Sequence, residues 1–159
     1  VHRLDRDPSG LMIMALNKDS QRNISLQFEQ RNVHKVYECI VEGTPSEKEG
    51  CITLPIGRDR NRPPRYKVDH ESGRFSQTLW HLLETREGYS RLKIEPITGR
   101  SHQIRVHLAS LGHPILGDPL YAATSTQNPA GRLLLHAQAI QFSHPKTGES
   151  VGWQSICPF

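Results

Sequence analysis

The feature that most constrains how this 159-residue chain can fold is a pair of runs meeting at Glu87-Gly88. Gln77 to Thr85 and Tyr89 to Ile97 flank that dipeptide, and in the second run Leu92 and Ile94 alternate with Arg91, Lys93 and Glu95. A period of two around a turn containing glycine predicts a β-hairpin. Further strands are expected at the continuous apolar run Leu11 to Leu16, which reads as a buried strand, at His34 to Val41, at Leu133 to Phe142 and at Val151 to Ser155. In the second of these, Tyr37, Cys39 and Val41 should point one way and Val36, Glu38 and Ile40 the other. Two helices interrupt the pattern. Asp19 or Ser20 can cap the first, which carries Ile24, Leu26 and Phe28 and runs through Gln30. The second follows Thr98-Gly99-Arg100, has Ile104, Leu108 and Leu111 at helical spacing, and stops at Gly112. Strands joined mostly by turns, not alternating with helices, indicate an α+β chain with a largely antiparallel sheet.

Composition narrows the function classes. Twenty Lys and Arg against sixteen Asp and Glu leave a net charge of +4, and 35% hydrophobic residues suit one globular domain over 1–159. No window approaches the ~20 consecutive apolar residues of a membrane helix, so no membrane partner is expected. Cys39, Cys51 and Cys157 are odd in number and lack Cys-x-x-Cys spacing. They read as packing residues in a reducing, cytoplasmic setting.

Gly57 to Lys67 holds five basic residues, Arg58, Arg60, Arg62, Arg65 and Lys67, and one acid around Pro63-Pro64. It reads as an extended basic loop, whose plainer interpretation is a solvated charge run. Nine histidines raise the question of a metal, but His102 and His107 stand about 140° apart on a helix, and no His-Glu-x-x-His is present. No metal is expected. Gly88-Tyr89-Ser90 lacks the second glycine of a nucleophile elbow, and there is no glycine-rich phosphate loop. Three side chains remain as candidates. Asp5 lies between Arg3 and Arg6 in a loop, and could be a turn acid paired with a neighbouring arginine. Arg105, near the start of the second helix, could be a boundary residue covering the core with its stem. Tyr37 could be a core aromatic.

Taken together, the motifs are more specific. His2-Arg3-Leu4-Asp5 followed by Ser9-Gly10, then Lys35-Val36-Tyr37, Thr98-Gly99-Arg100-Ser101-His102-Gln103-Ile104-Arg105-Val106-His107, Gly112-His113-Pro114-Ile115-Leu116-Gly117-Asp118 and Leu134-Leu135-His136-Ala137 resemble, in order and spacing, the RluA family of RNA pseudouridine synthases. Asn61-Arg62-Pro63 leading to Lys67-Val68, and Glu71-Ser72-Gly73, are more similar to the family's dual-specificity branch than to its large-rRNA-specific branch. The resemblance implies a pseudouridine synthase fold, a mixed, mostly antiparallel central sheet with flanking helices and loops. Because family members carry the first strands of that sheet ahead of the Asp motif, those strands are expected to be missing and the catalytic domain to be N-terminally truncated. It also implies an isomerase without a cofactor, acting as a monomer on uridines in a 23S rRNA stem-loop and in tRNA anticodon loops.

The expected chemistry fits the candidates. Pseudouridylation breaks the N-glycosidic bond, rotates the uracil and rejoins it through C5, so an ionised carboxylate is needed at the sugar or base and no redox partner. By resemblance Asp5 is that group. Arg105, within ion-pair reach, would keep it charged and aimed. Tyr37 would stack on the uracil and could take part in C5 deprotonation. The uridine must be flipped out of its stack, and Arg3 would fill the gap. RNA contacts would come from Arg58, Arg60, Arg62, Arg65, Lys67, Arg100 and His102, and pocket support from Ile104, Leu134 and Leu135. The competing reading is an RNA-binding module without catalysis, against which stands the joint presence of Asp5, Tyr37 and Arg105. A metal hydrolase acting on RNA lacks its ligand cluster.

Overall fold

A computed structural model describes the chain at Asp5, residues 7–122 and residues 131–159. Among these, seven strands form one sheet. They are β1 (Ser9–Gly10), β2 (His34–Glu42), β3 (Glu49–Thr53), β6 (Gln77–Arg86), β7 (Tyr89–Pro96), β8 (Leu135–Ser143) and β9 (Ser150–Gln154). The order is β1-β8-β2-β7-β6-β3, with β9 also on β8. All pairings are antiparallel except β1 with β8. A separate hairpin joins β4 (Ile56–Arg58) to β5 (Tyr66–Val68), and the helices are α1 (Lys18–Glu29) and α2 (Gln103–Ser110).

The hairpin at Glu87-Gly88 is β6–β7, with Gly88 at φ 80° supplying the positive dihedral the turn requires. One face of the sheet packs under α2, where Cys39, Val41, Leu92, Ile94, Leu108 and Ile115 are essentially inaccessible. A second cluster, Ile24, Val33, Ile140 and Phe142, seats α1. The side chain of Asn17, one residue ahead of α1, accepts the Ser20 N–H at 2.9 Å, so the helix starts earlier than a cap at Asp19 or Ser20 would place it. Helix α2 ends as expected at Gly112, φ 83°, where the N–H groups of Gly112 and His113 return to the carbonyls of Ala109 and Leu108.

Four expectations need correcting. Leu11 to Leu16 is not a strand, because pairing stops once the Leu11 N–H has reached the Ala137 carbonyl at 3.0 Å. Its odd positions, Leu11, Ile13 and Ala15, pack on the second cluster, while Leu16 is 95% exposed, so the run is covered on one side only. The basic segment is a closed hairpin and not an extended loop, with Asp59 N–H bonded to the Arg65 carbonyl across its tip. Edge strand β3 was not expected, since Ile52 is its one buried side chain and the other covered position, Gly50, has no side chain to mark the alternation in the sequence. Cys51, on that strand, is exposed and so is not a packing residue.

Candidate active site

Three segments of the sequence converge at the end of the central strands. Strand β1 pairs Ser9 with His136 and Gly10 with Ala137, which anchors the loop carrying Asp5 beside β8. Gly10 has φ 109°, and a Cβ there would lie 2.3 Å from the Ala137 carbonyl oxygen, so only glycine allows this approach. Tyr37 lies on β2 at a register shift between Val36 and Tyr37, opposite Ala137 on one side and Ile94 on the other. The third segment is the turn into α2. Thr98 Oγ1 donates to Gln103 Oε1 at 2.7 Å, the Arg100 N–H donates to the same oxygen at 2.9 Å, and Gln103 Nε2 donates to the Gln77 carbonyl and to Thr78 Oγ1. His102 sits at φ 55° just before the helix. This buried network sets the helix start, and with it Arg105 one turn in.

Asp5, Tyr37, Arg105, Arg100, His102, Ile104 and Leu135 all line one cavity of about 500 Å³, within the range of ligand pockets. Leu134 does not line it. Its backbone bonds to Leu116 and Ile40 and its side chain belongs to the core. Arg58, Arg60, Arg62 and Lys67 are exposed on the β4–β5 hairpin away from the cavity wall. Arg3 falls outside the described residues.

Arg105 is neither a boundary residue nor a direct partner of Asp5. It is 1% exposed, and its Nε and Nη2 donate to Asp118 Oδ2 and Oδ1 at 2.8 and 2.7 Å, a bidentate pair. Its Nη1 stands 3.5 Å from Asp7 Oδ2. Among the described residues there is no ion pair between Arg105 and Asp5. Burial pulls the guanidinium's pKa down, but the Asp118 bond and the charges of Asp118, Asp5 and Asp7 outweigh it, leaving the pKa above the ordinary arginine value. Burial, with the nearby Asp5 charge second, pushes the Tyr37 phenol up to about 12. Burial likewise lowers His102.

Asp118 and Tyr121 complete the arrangement and carried no role in the sequence reading. Asp118 Oδ1 also accepts the N–H groups of Leu120 and Tyr121, so one carboxylate shapes the turn and holds Arg105. The Tyr121 ring lies 5.2 Å from the Arg105 guanidinium and 5.9 Å from that of Arg65. Its hydroxyl accepts the Tyr66 N–H at 2.8 Å and bonds His102 Nδ1 at 2.7 Å. Tyr121 thus connects the basic hairpin to the cavity wall. Asp118 stands in the quoted Gly117-Asp118 motif, so its position was visible, but nothing in its residue type distinguished it from a turn acid. His107 faces elsewhere, held between Thr78 Oγ1 and the Leu54 carbonyl.

Comparison with known proteins agrees with this geometry. The family model for RNA pseudouridylate synthase matches residues 1–110. The dual-specificity RNA pseudouridine synthase RluA of Escherichia coli (strain K12) is 42% identical over 160 aligned positions, spanning 100% of this chain and 73% of that protein. RluA of Salmonella typhi is 43% identical over the same span and the same shares. The solved structure of human RNA Pseudouridylate Synthase Domain Containing 1 superposes with a TM-score of 0.88 at 32% identity, covering 99% of this chain and 68% of that one. Human RNA Pseudouridylate Synthase Domain Containing 4 gives 0.80 at 25% identity, covering 99% and 70%. A family match over most of the chain, similarity along its whole length and a shared fold have one meaning: the chain belongs to the RNA pseudouridine synthases, isomerases that act on RNA.

Proposed function

We propose that this protein converts specific uridines in structured RNA to pseudouridine, with Asp5 as the reacting carboxylate, and that its substrates are a 23S rRNA stem-loop and tRNA anticodon stem-loops, the pair its motif resemblance implies and one in keeping with the dual specificity in its relatives' name. Such RNAs set the cytoplasm as its place of work. The observation that carries this reading is the convergence of Asp5, Tyr37 and Arg105 on one cavity able to take an extruded nucleotide.

The residues divide the work as follows. Asp5 attacks or stabilises the sugar or base as the N1–C1′ bond breaks. The uracil turns within the cavity, C1′ joins C5, and the C5 proton leaves while N1 gains one, so no electrons are exchanged with a cofactor. Arg105, neutralised by Asp118, contributes a fixed dipole-rich wall rather than a private counterion for Asp5. With burial pushing its phenol up to about 12, Tyr37 keeps its proton at pH 7. Its main task is therefore to offer a ring face to the uracil and a hydroxyl proton to a neighbouring oxygen.

Asp5→Asn tests the assignment. Tritium release from C5-labelled uridine in an RNA stem-loop should fall to background while RNA retention on a filter persists. Turnover within about tenfold of the unaltered protein would remove Asp5 from the chemistry. Loss of RNA retention together with turnover would make Asp5 a binding or folding residue instead.

A further inference from the structure

We propose that Lys35 is the phosphate-binding residue of the cavity, its ammonium taking the backbone phosphate beside the extruded nucleotide, with Arg31 and Arg100 completing a basic rim. This rests on the reading above and names a contact that it does not contain.

Lys35 lies two residues before Tyr37 on β2, and both side chains line the cavity. It is half-buried, yet among the described residues its ammonium makes no hydrogen bond or ion pair. The cavity's acids, Asp5 and Glu29, are not within ion-pair distance of it. Other partly covered basic groups of the sheet are matched: Lys93 Nζ is 2.8 Å from Glu95, and Arg91 is 2.9 Å from Glu38. Nζ of Lys35 instead stands over Gly99, 3.9 Å from where a Cβ would be, so no side chain at that position screens it from the start of the Thr98-Gly99-Arg100 turn. Holding a cation partly out of water without a counterion is unfavourable, and burial lowers its pKa accordingly. An arriving phosphate removes that penalty.

The rim is built around Phe75, which is 50% exposed. The Arg31 guanidinium lies 5.9 Å from the Phe75 ring, and Arg100 Nε donates to the Phe75 carbonyl at 3.2 Å. Arg31 adopts φ 63°, an uncommon dihedral for a side chain with a Cβ, at the end of α1 where it borders the cavity. Three cations thus face one opening, and among the described residues Lys35 is the one whose charge meets neither a polar partner nor a ring. A point charge with three donors suits a phosphate better than the edge of a base, which needs directed bonds.

The test uses the whole protein and a stem-loop RNA in which it forms pseudouridine. Single methylphosphonates, each removing one backbone charge, are placed at the linkages flanking the target uridine. With unaltered protein, one neutral linkage should raise KM about tenfold, as expected for a charge-assisted contact. Lys35→Met should raise KM to a similar degree at nearly unchanged kcat, flatten the slope of log affinity against log salt by about 0.7–0.9, and lose sensitivity to that linkage. Lys35→Arg should restore the sensitivity. Should Lys35→Met fail to fold by thermal melting, Lys35→Gln is measured in its place and the same outcomes apply. The inference is overturned if kcat falls while KM and salt slope stay, which would put Lys35 on the base, or if the variant remains as sensitive to every neutral linkage as the unaltered protein. A protein that forms no pseudouridine in rRNA or tRNA stem-loops would overturn the functional reading itself, a result separable from both.

Discussion

Asp118→Asn removes one charge from the deepest ion pair described, and the structure indicates how much that should cost. The carboxylate side chain is fully buried, and its two oxygens accept four bonds: Arg105 Nε and Nη2, and the N–H groups of Leu120 and Tyr121. In either orientation an asparagine places its NH₂ against a donor. With Oδ1 retained, the amide faces Arg105 Nε, and flipped, it faces three N–H groups at once. The guanidinium, 1% exposed, is left with Asp7 at 3.5 Å as its remaining carboxylate. Removing one partner of a buried pair costs about 3–5 kcal/mol. At roughly 2–4 °C per kcal/mol for a domain of this size, the melting temperature should fall by about 6–20 °C. Turnover should fall as well, because the Tyr121 turn and the cavity wall both depend on this carboxylate. Calorimetry with Glu84→Gln as control separates the burial effect, since the Glu84–Arg86 pair lies in solvent and its loss should leave melting essentially unchanged. A melting temperature for Asp118→Asn as close to that of the unaltered protein as the control's would refute the reasoning.

Three further outcomes follow from particular contacts. Replacing Arg60, Arg62 and Arg65 with Ala on the β4–β5 hairpin should weaken RNA binding and flatten the salt slope by roughly two, with kcat at saturating RNA little changed, and an unaltered slope would make the hairpin a solvated charge cluster. Gly10→Ala should lower both melting temperature and turnover, because the added methyl meets the Ala137 backbone at 2.3 Å, and a melt like that of the unaltered protein would show that β1 can move aside. His107, pulled below its ordinary pKa of 6.5 by burial, stays neutral in the fold while the unfolded chain takes up a proton. The stability that neutral His107 contributes should therefore be level above pH 6.5 and decline as pH falls from there toward the lowered folded value, and His107→Gln should make that limb shallower in denaturant titrations, His102 and His136 supplying the remainder.

How much of the fold was legible depended on whether an element carries its own pattern. The β6–β7 hairpin and α2 did, since alternation around Glu87-Gly88 and the Ile104–Leu108–Gly112 spacing state their periods locally. Leu11 to Leu16 misled because a continuous apolar run implies cover on two faces, whereas Leu11, Ile13 and Ala15 find cover and Met12, Met14 and Leu16 do not. Strand β3 was invisible for the opposite reason: Glu-Gly-Cys-Ile-Thr buries a single side chain, and its pairing with β6 is dictated by a neighbour distant in sequence.

At the site, the sequence carried the identities of the groups but not their pairing. Asp5, Tyr37 and Arg105, expected as catalytic residues, do line one cavity, yet an arginine and an acid that share a site were assumed to be partners. The fold assigns the fork of Arg105 to Asp118, thirteen residues on, whose carboxylate is also held by the N–H groups of Leu120 and Tyr121. The pairing thus depends on a turn geometry that residue types alone do not show. The same logic explains why Lys35 was passed over. A lysine two residues before a tyrosine on a strand looks like a solvent-facing residue, and it becomes informative only once Arg91 and Lys93 are seen paired with acids, Arg31 set against Phe75, and Lys35 with neither kind of contact among the described residues.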